Sequence, residues 1–150
     1  MAVPPKQTRV QRSVTGSNPI VLDLQRATHA VGVGLEARLA DVGVSQGEAH
    51  VLALLGDGAA HTVGELQRGV RHRPSTLSGI LDRLEGRGWI TRRLNEADRR
   101  SLLVRLSRSG RSVADAVVAA MRSIDESAAS VVTSRDLAGF RAVTRALVEE

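Results

Sequence analysis

Apolar residues recur at spacings of three and four along most of this chain. The rhythm breaks once, where Leu102, Val104 and Leu106 alternate with Leu103 and Arg105. Spacings near 3.6 give a helix one apolar face, and a spacing of two gives a strand one apolar face. The chain must therefore fold as a run of helices interrupted by a small β element.

The helix starts are marked as well. Ser17-Asn18-Pro19 puts a capping residue before a first-turn proline. A helix of about 22 residues then follows, with Val21, Leu24, Thr28, Val31, Leu35 and Leu39 on one face, stopping near Gly43. Ser45 to Glu48 and Thr62 to Glu65 both have capping-box form, a hydroxyl followed three residues later by an acid. The first opens a short helix burying Ala49, Leu52 and Leu55, ended by Gly56-Asp57-Gly58. The second opens another with Val63, Leu66 and Val70 inward.

Pro74 fits the first turn of a fourth helix, buried through Leu77, Ile80, Leu81 and Leu84 and ended at Arg87-Gly88. Trp89 to Arg93 reads as a strand with Trp89 as core. Leu94 to Arg100 is a polar tip, and Leu102 to Leu106 is the second strand of a hairpin. Ser107 opens a long helix with the stripe Val113, Val117, Ala120, Ile124, Ala128 and Val131. Ser134 caps a last helix bearing Leu137, Phe140, Val143 and Leu147. The predicted order is α-α-α-α-β-β-α-α, mainly helical with a small hairpin.

Charge then separates one part of the chain from the rest. Between His61 and Arg111 stand twelve arginines and five acids, a balance of +7, whereas the remainder carries −2. A concentrated cationic field of this kind suits a polyanion such as duplex DNA. Lys6 is the single lysine, and that preference for arginine reads as coding bias more than function. With no cysteine, thiol chemistry and cysteine zinc sites are excluded. Trp89 and Phe140 are the only aromatics, which disfavours single-strand and RNA readers that stack bases on aromatic platforms. No run approaches the ~20 apolar residues of a membrane span, so the expected setting is cytoplasmic, with no membrane partner.

Two short helices followed by a charged hairpin describe a winged helix-turn-helix, whose second helix enters the major groove. The buried stripe of that helix leaves Ser75, Thr76, Ser78, Gly79, Asp82 and Arg83 on the opposite side. Small hydroxyls can approach base edges, Gly79 admits close backbone approach, and Arg71, His72 and Arg73 flank the positive helix end where phosphate is favoured. Arg93 lies on the hairpin, and its tip carries Asp98, Arg99 and Arg100, suited to a narrow minor groove.

Residues Leu77 to Arg92 and Asn95 to Gly110 resemble the recognition helix and wing of the MarR family of bacterial transcription regulators. The Asp98-x-Arg100 pair and the Ser107-x-x-Gly110 helix start carry the likeness. Pro74 and Gly79 depart from it at positions bearing on sequence preference. The resemblance implies an obligate homodimer on a palindromic operator, most often as a repressor released by a small-molecule effector, with Arg100 in the minor groove steadied by Asp98. Residues 1–16, with Lys6, Arg9, Arg12, Pro4, Pro5 and Gly16 and no apolar periodicity, read as a flexible basic tail; the resemblance divides the rest into a dimerisation helix (17–44), the winged unit (45–106) and dimerisation helices (107–150). His29 and His50 are the candidate lining of an effector pocket. Terminal helices with apolar stripes and no second layer to cover them support the dimer independently.

Other constellations carry less. The histidines His29, His50, His61 and His72 are 21, 11 and 11 residues apart, and none pairs at metal-ligand spacing. Gly32-Val33-Gly34 lies within a helical pattern and lacks a third glycine. Asp125 and Glu126 diverge on their helix. No nucleophile–base pair, cofactor motif or metal set emerges, so the chain is expected not to be an enzyme. The alternative to DNA binding is a winged-helix interaction module taking an acidic protein partner.

Overall fold

The computed structural model describes residues 19–149. The predicted basic tail, 1–16, and the capping residues Ser17 and Asn18 lie outside them. The elements are α1 (Ile20–Arg38), α2 (Gln46–Leu55), β1 (His61–Thr62), α3 (Val63–Val70), α4 (Pro74–Gly86), β2 (Ile90–Leu94), β3 (Leu102–Leu106), α5 (Arg108–Ala129) and α6 (Ser134–Val148).

The helix starts follow the local chemistry. In α2 the Ser45 hydroxyl accepts from the Glu48 amide while the Glu48 carboxylate accepts from the Ser45 amide. Thr62 and Glu65 do the same for α3. For α6 the cap is Thr133, paired reciprocally with Asp136, and not the expected Ser134. Either hydroxyl can cap, but only Thr133 has an acid three residues on.

The expected hairpin is two strands of a three-stranded antiparallel sheet ordered β1-β3-β2. β2 and β3 pair from Ile90 opposite Leu106 to Leu94 opposite Leu102. β1 adds His61 opposite Val104 and Thr62 opposite Leu103. Its two residues are too few to show a period, and its partner lies some forty residues away. β2 starts at Ile90, one residue later than expected, and Trp89 is half-buried against the core with Arg87 stacked 4.8 Å over its ring. Val104 and Leu106 face the core while Leu102 is exposed near the tip.

A single core gathers Leu52 and Leu55 of α2, Leu66 of α3, Leu77, Leu81 and Leu84 of α4, Ile90 and Val104 of the sheet, and Ala114 and Val117 of α5. The wing joins α5 through a close backbone contact. The Ser107 amide donates to the Trp89 carbonyl, and the Ser107 and Ser109 hydroxyls donate to the Gly88 carbonyl. A Cβ on Gly110 would stand 1.8 Å from the Trp89 oxygen, so only glycine fits there. Gly88 turns the chain with φ +72°, a left-handed conformation that side chains resist. These contacts give the Ser107-x-x-Gly110 motif its physical meaning.

The terminal helices differ from expectation. On α1 only Gly32 and Leu35 are buried, with Leu39 just beyond its end; Val21 and Val31, placed on its inner face by the pattern, are exposed. α5 buries Val117 and Ala120, but Ala128 is exposed and Val131 lies beyond the helix. No residue of α6 is buried, and Phe140 is 56% exposed. The spacing identified these as apolar faces; among the described residues α1 and α5 are covered only in part and α6 is not covered.

Candidate nucleic-acid interface

The candidate surface is built on α4 and the wing. α4 turns Leu77, Ile80, Leu81 and Leu84 into the core, and this rotation sets what its other face presents. Ser75, Thr76, Ser78 and Arg83 are exposed, and Gly79 is half-exposed. Pro74 occupies the first turn and the N-cap residue Arg73 makes no side-chain cap, so the first-turn amides are left for an incoming acceptor. A helix N-terminus of this kind, flanked by exposed arginines, favours an anion.

The residues before α4 point in different directions. Arg73 is exposed. Arg71 is left-handed at φ 52° and caps α3, and its guanidinium donates to the Val148 carbonyl at the end of α6. Arg71 therefore links the helix-turn-helix to the last helix as well as adding positive charge. His72 differs from the expected phosphate-facing position. Its ring is turned inward and stacks on His50, centroids 6.3 Å apart, and its Nε2 is buried with no hydrogen-bond partner among the described residues. No local signal marked this, because His72 lies in the turn between α3 and α4, where neither helix period applies.

The wing tip is knitted from its own polar groups. The Asn95 amide donates to the Ser101 carbonyl, the Ser101 amide to the Asp98 carbonyl, and the Ala97 amide to the Asn95 side chain. The Asp98 carboxylate accepts from the Arg100 backbone amide at 3.1 Å. Asp98 thus shapes the turn that carries Arg100, acting on its backbone. The Arg93, Arg99 and Arg100 side chains are exposed, and no carboxylate among the described residues lies within ion-pairing distance of them.

Two arginines whose ion pairs sequence reasoning missed fix these parts to one another. Arg92 on β2 bridges Asp82, at 2.8 Å, and Glu85, both on α4. The Arg92 hydrogen bond is the main reason the Glu85 carboxyl lies below its ordinary range. Asp82 and Glu85, three apart, made a detectable carboxylate pair on one helix face, but nothing local pointed it at Arg92. The second arginine, Arg83, pairs with Glu48 on α2, with Nε 3.0 Å from Oε1. Burial raises the Glu48 carboxyl, but the Ser45 amide, Arg83, the Ser45 hydroxyl and the charge of Arg87 outweigh it and hold the group below its usual range.

The two histidines expected to share a pocket line separate ones. His50 opens on a cavity of about 570 Å³ with Val31 and Leu35 of α1, Leu54 of α2, Val70 of α3, and Met121, Ile124 and Asp125 of α5. His29 lines a different groove with Val21, Leu24, Gln46 and Leu147. Burial and then the neighbouring His72 lower the pKa of His50. Among the described residues no group of three or more histidine, aspartate or glutamate side chains could hold a metal ion. None of the described helices is long and apolar enough to cross a membrane.

These elements make a winged helix-turn-helix unit flanked by long helices. Residues 44–102 match the model of the MarR family. Members of that family are DNA-binding transcription regulators and not enzymes.

Solved structures share the fold over nearly the whole chain. Staphylococcus aureus MepR in its DNA-binding conformation is 16% identical, with a TM-score of 0.80, covering 88% of this chain and 98% of its own. Bordetella bronchiseptica BpsR, whose DNA binding is regulated by 6-hydroxynicotinic acid, is 20% identical with a TM-score of 0.78, covering 91% and 97%. Escherichia coli MarR in its apo form is 20% identical with a TM-score of 0.70, covering 88% and 98%. MepR is also known in complex with DNA, a structure 17% identical with a TM-score of 0.77, covering 88% and 97%. No curated protein sequence matches the chain significantly.

Proposed function

We propose that this chain is a transcription regulator that binds a palindromic operator in duplex DNA as a homodimer, acting as a repressor in the cytoplasm of a bacterium. The observation that carries the reading is one surface on which α4 and the wing both expose arginine and small polar side chains, within a segment of charge +7. In this reading α4 enters the major groove. Ser75, Thr76, Ser78 and Gly79 face base edges, Arg73 and Arg83 engage acceptors beside them, Arg71 adds positive charge at the helix start, and His72 supports the turn from within. Arg99 and Arg100 reach the minor groove from a tip shaped by Asp98, with Arg93 toward the backbone.

The dimer is supported by the uncovered terminal helices. A 15-residue helix is marginal in water unless its apolar face packs against something, and among the described residues none of α6 is buried. Ile20, Val21 and Leu22 of α1 and Phe140, Val143 and Leu147 of α6 are the faces a second copy would cover. This retains the partition into a dimerisation helix over 17–44, a winged unit over 45–106 and dimerisation helices over 107–150. The cavity beside His50 touches α1 and α5 as well as α2 and α3. A small effector bound there can bias the angle between the two parts, as ligand control of BpsR illustrates for a protein of this fold.

Selection of bound sites from a random duplex pool tests the proposal. The expected product is an inverted repeat with half-sites about 10 base pairs apart, bound roughly 10³-fold more tightly than random duplex. Recovery of unrelated sequences bound no better than bulk DNA would reject it.

A further inference from the structure

Glu48 is the one charged residue in the buried core of the described chain, 2% exposed, and it lies on α2 behind the reading face of α4. Its two carboxylate oxygens are divided. Oε2 accepts from the Ser45 amide at 2.9 Å, and Oε1 accepts from Nε of Arg83 at 3.0 Å. The Arg83 side chain is nevertheless 56% exposed. One of its terminal nitrogens lies 3.5 Å from where a Cβ of Gly79 would stand. The guanidinium therefore rests along the outer face of α4, one turn back toward Ser75 and Thr76.

A guanidinium is planar, with five N–H donors in a fixed fork. When Nε–H is spent inward, the plane of the group is set and four N–H donors remain on its two outer nitrogens. We propose that Glu48 is a positioning residue for DNA recognition, fixing Arg83 so that its outer edge presents a two-pronged donor to paired acceptors on DNA. Glu48 itself touches no DNA. Its effect is exerted through Arg83, whose rotamer freedom is already reduced before docking and so is not lost on binding. The acceptors have one chemistry and two sources, O6 and N7 of guanine or two phosphate oxygens. This inference rests on the DNA-binding reading of α4.

The test uses the full-length protein and the duplex recovered by selection, with affinity measured for wild type, Arg83→Ala, Glu48→Gln and the double variant. Arg83→Ala and Glu48→Gln are each expected to weaken binding about tenfold, the effect of a good bidentate contact. The double variant should bind no more weakly than Arg83→Ala alone. A Glu48→Gln loss that persists in the Arg83→Ala background overturns the proposal, because it marks a general loosening of the packing between α2 and α4.

Arg83→Lys keeps the charge without the fork and covers the case in which Glu48→Gln fails to fold. It should bind like Arg83→Ala, and wild-type affinity would overturn the assignment. Loss confined to the recovered sequence assigns the outer edge to guanine, and uniform loss across duplexes assigns it to phosphate; either supports a held fork. If Arg83→Ala binds the recovered duplex as wild type does, this inference fails while the regulator reading stands. If wild type prefers no duplex, the regulator reading fails first.

Discussion

The winged unit and the terminal helices are built from similar residues and have opposite fates. Leu52, Leu66, Leu81 and Leu84 of the winged unit are sealed by neighbours within one chain, whereas Leu22, Phe140, Val143 and Leu147 are open to solvent. Each group lies on a helix with an apolar face. The difference is in what stands opposite. α4 is covered by α2 and the sheet, whereas α6 has no buried residue. An apolar stripe reports that a face will be covered and leaves open which chain covers it. The winged unit is therefore stabilised by contacts within one chain, and the terminal helices offer the faces that the proposed dimer would cover.

The comparison is broken most directly in the core. Leu84→Ala removes a side chain of 0% exposure and should cost about 2–5 kcal/mol, read from urea unfolding. The loss should be the same at low and high protein concentration. A loss that vanished on concentrating the protein would mean that the winged unit also depends on a partner. Phe140→Glu makes the opposite test. A charge on that open face should weaken self-association by about 30-fold or more, the effect of losing an interface hot spot, as followed by sedimentation. The same variant should leave helix content within α2 to α5 intact. An unchanged association constant would place the dimer contact elsewhere.

A smaller effect separates binding from folding. Arg100→Ala removes an exposed wing-tip side chain that pairs with no carboxylate among the described residues. It should weaken operator binding about tenfold with an unchanged melting temperature. Equal affinity would remove the wing from recognition. Asp98→Ala is informative beside it, because Asp98 holds the Arg100 backbone. Its loss should disorder the turn and weaken binding less than Arg100→Ala does.

What was legible in the sequence follows from what is local. The capping boxes at Ser45 and Thr62, the stripe Leu77-Ile80-Leu81-Leu84 and the alternation through Val104 and Leu106 are encoded within a few residues of where they act. β1 was not legible, because two residues show no period and its partner strand is distant. The site divided the same way. That Ser75, Thr76 and Ser78 face outward followed from the stripe behind them. That Glu48 holds Arg83 and Arg92 holds α4 did not, because a charge on a helix face gives no address for its partner. His72 sits in the turn between two helices, where neither helix period applies, and its neighbours Arg71 and Arg73 gave a misleading cue.

The smallest predicted effect concerns His50, within the winged unit. Burial and the adjacent His72 favour its neutral form in the folded chain, so the folded pKa lies below the ordinary value of 6.5. As pH falls through that value the unfolded chain takes up the proton first, and stability must fall until the folded pKa is passed. Above it the effect is absent. Glu48 titrates in a separate window. Its folded pKa is also lowered, from an ordinary value of 4.5, so its contribution is present above that value and is lost as pH falls through the folded pKa. The interval between neutral pH and pH 5 lies above the Glu48 window. His50→Gln should flatten the acid-side decline of stability in that interval and leave the decline below it in place. An unaltered slope would show that His50 is solvated in both states, and the cavity beside it would then be open to water. The carboxyl that Phe140→Glu adds to an exposed face titrates near the ordinary glutamate value of about 4.3, below this interval, so the variant should keep this pH dependence, which ties it to the winged unit and not to the α6 face.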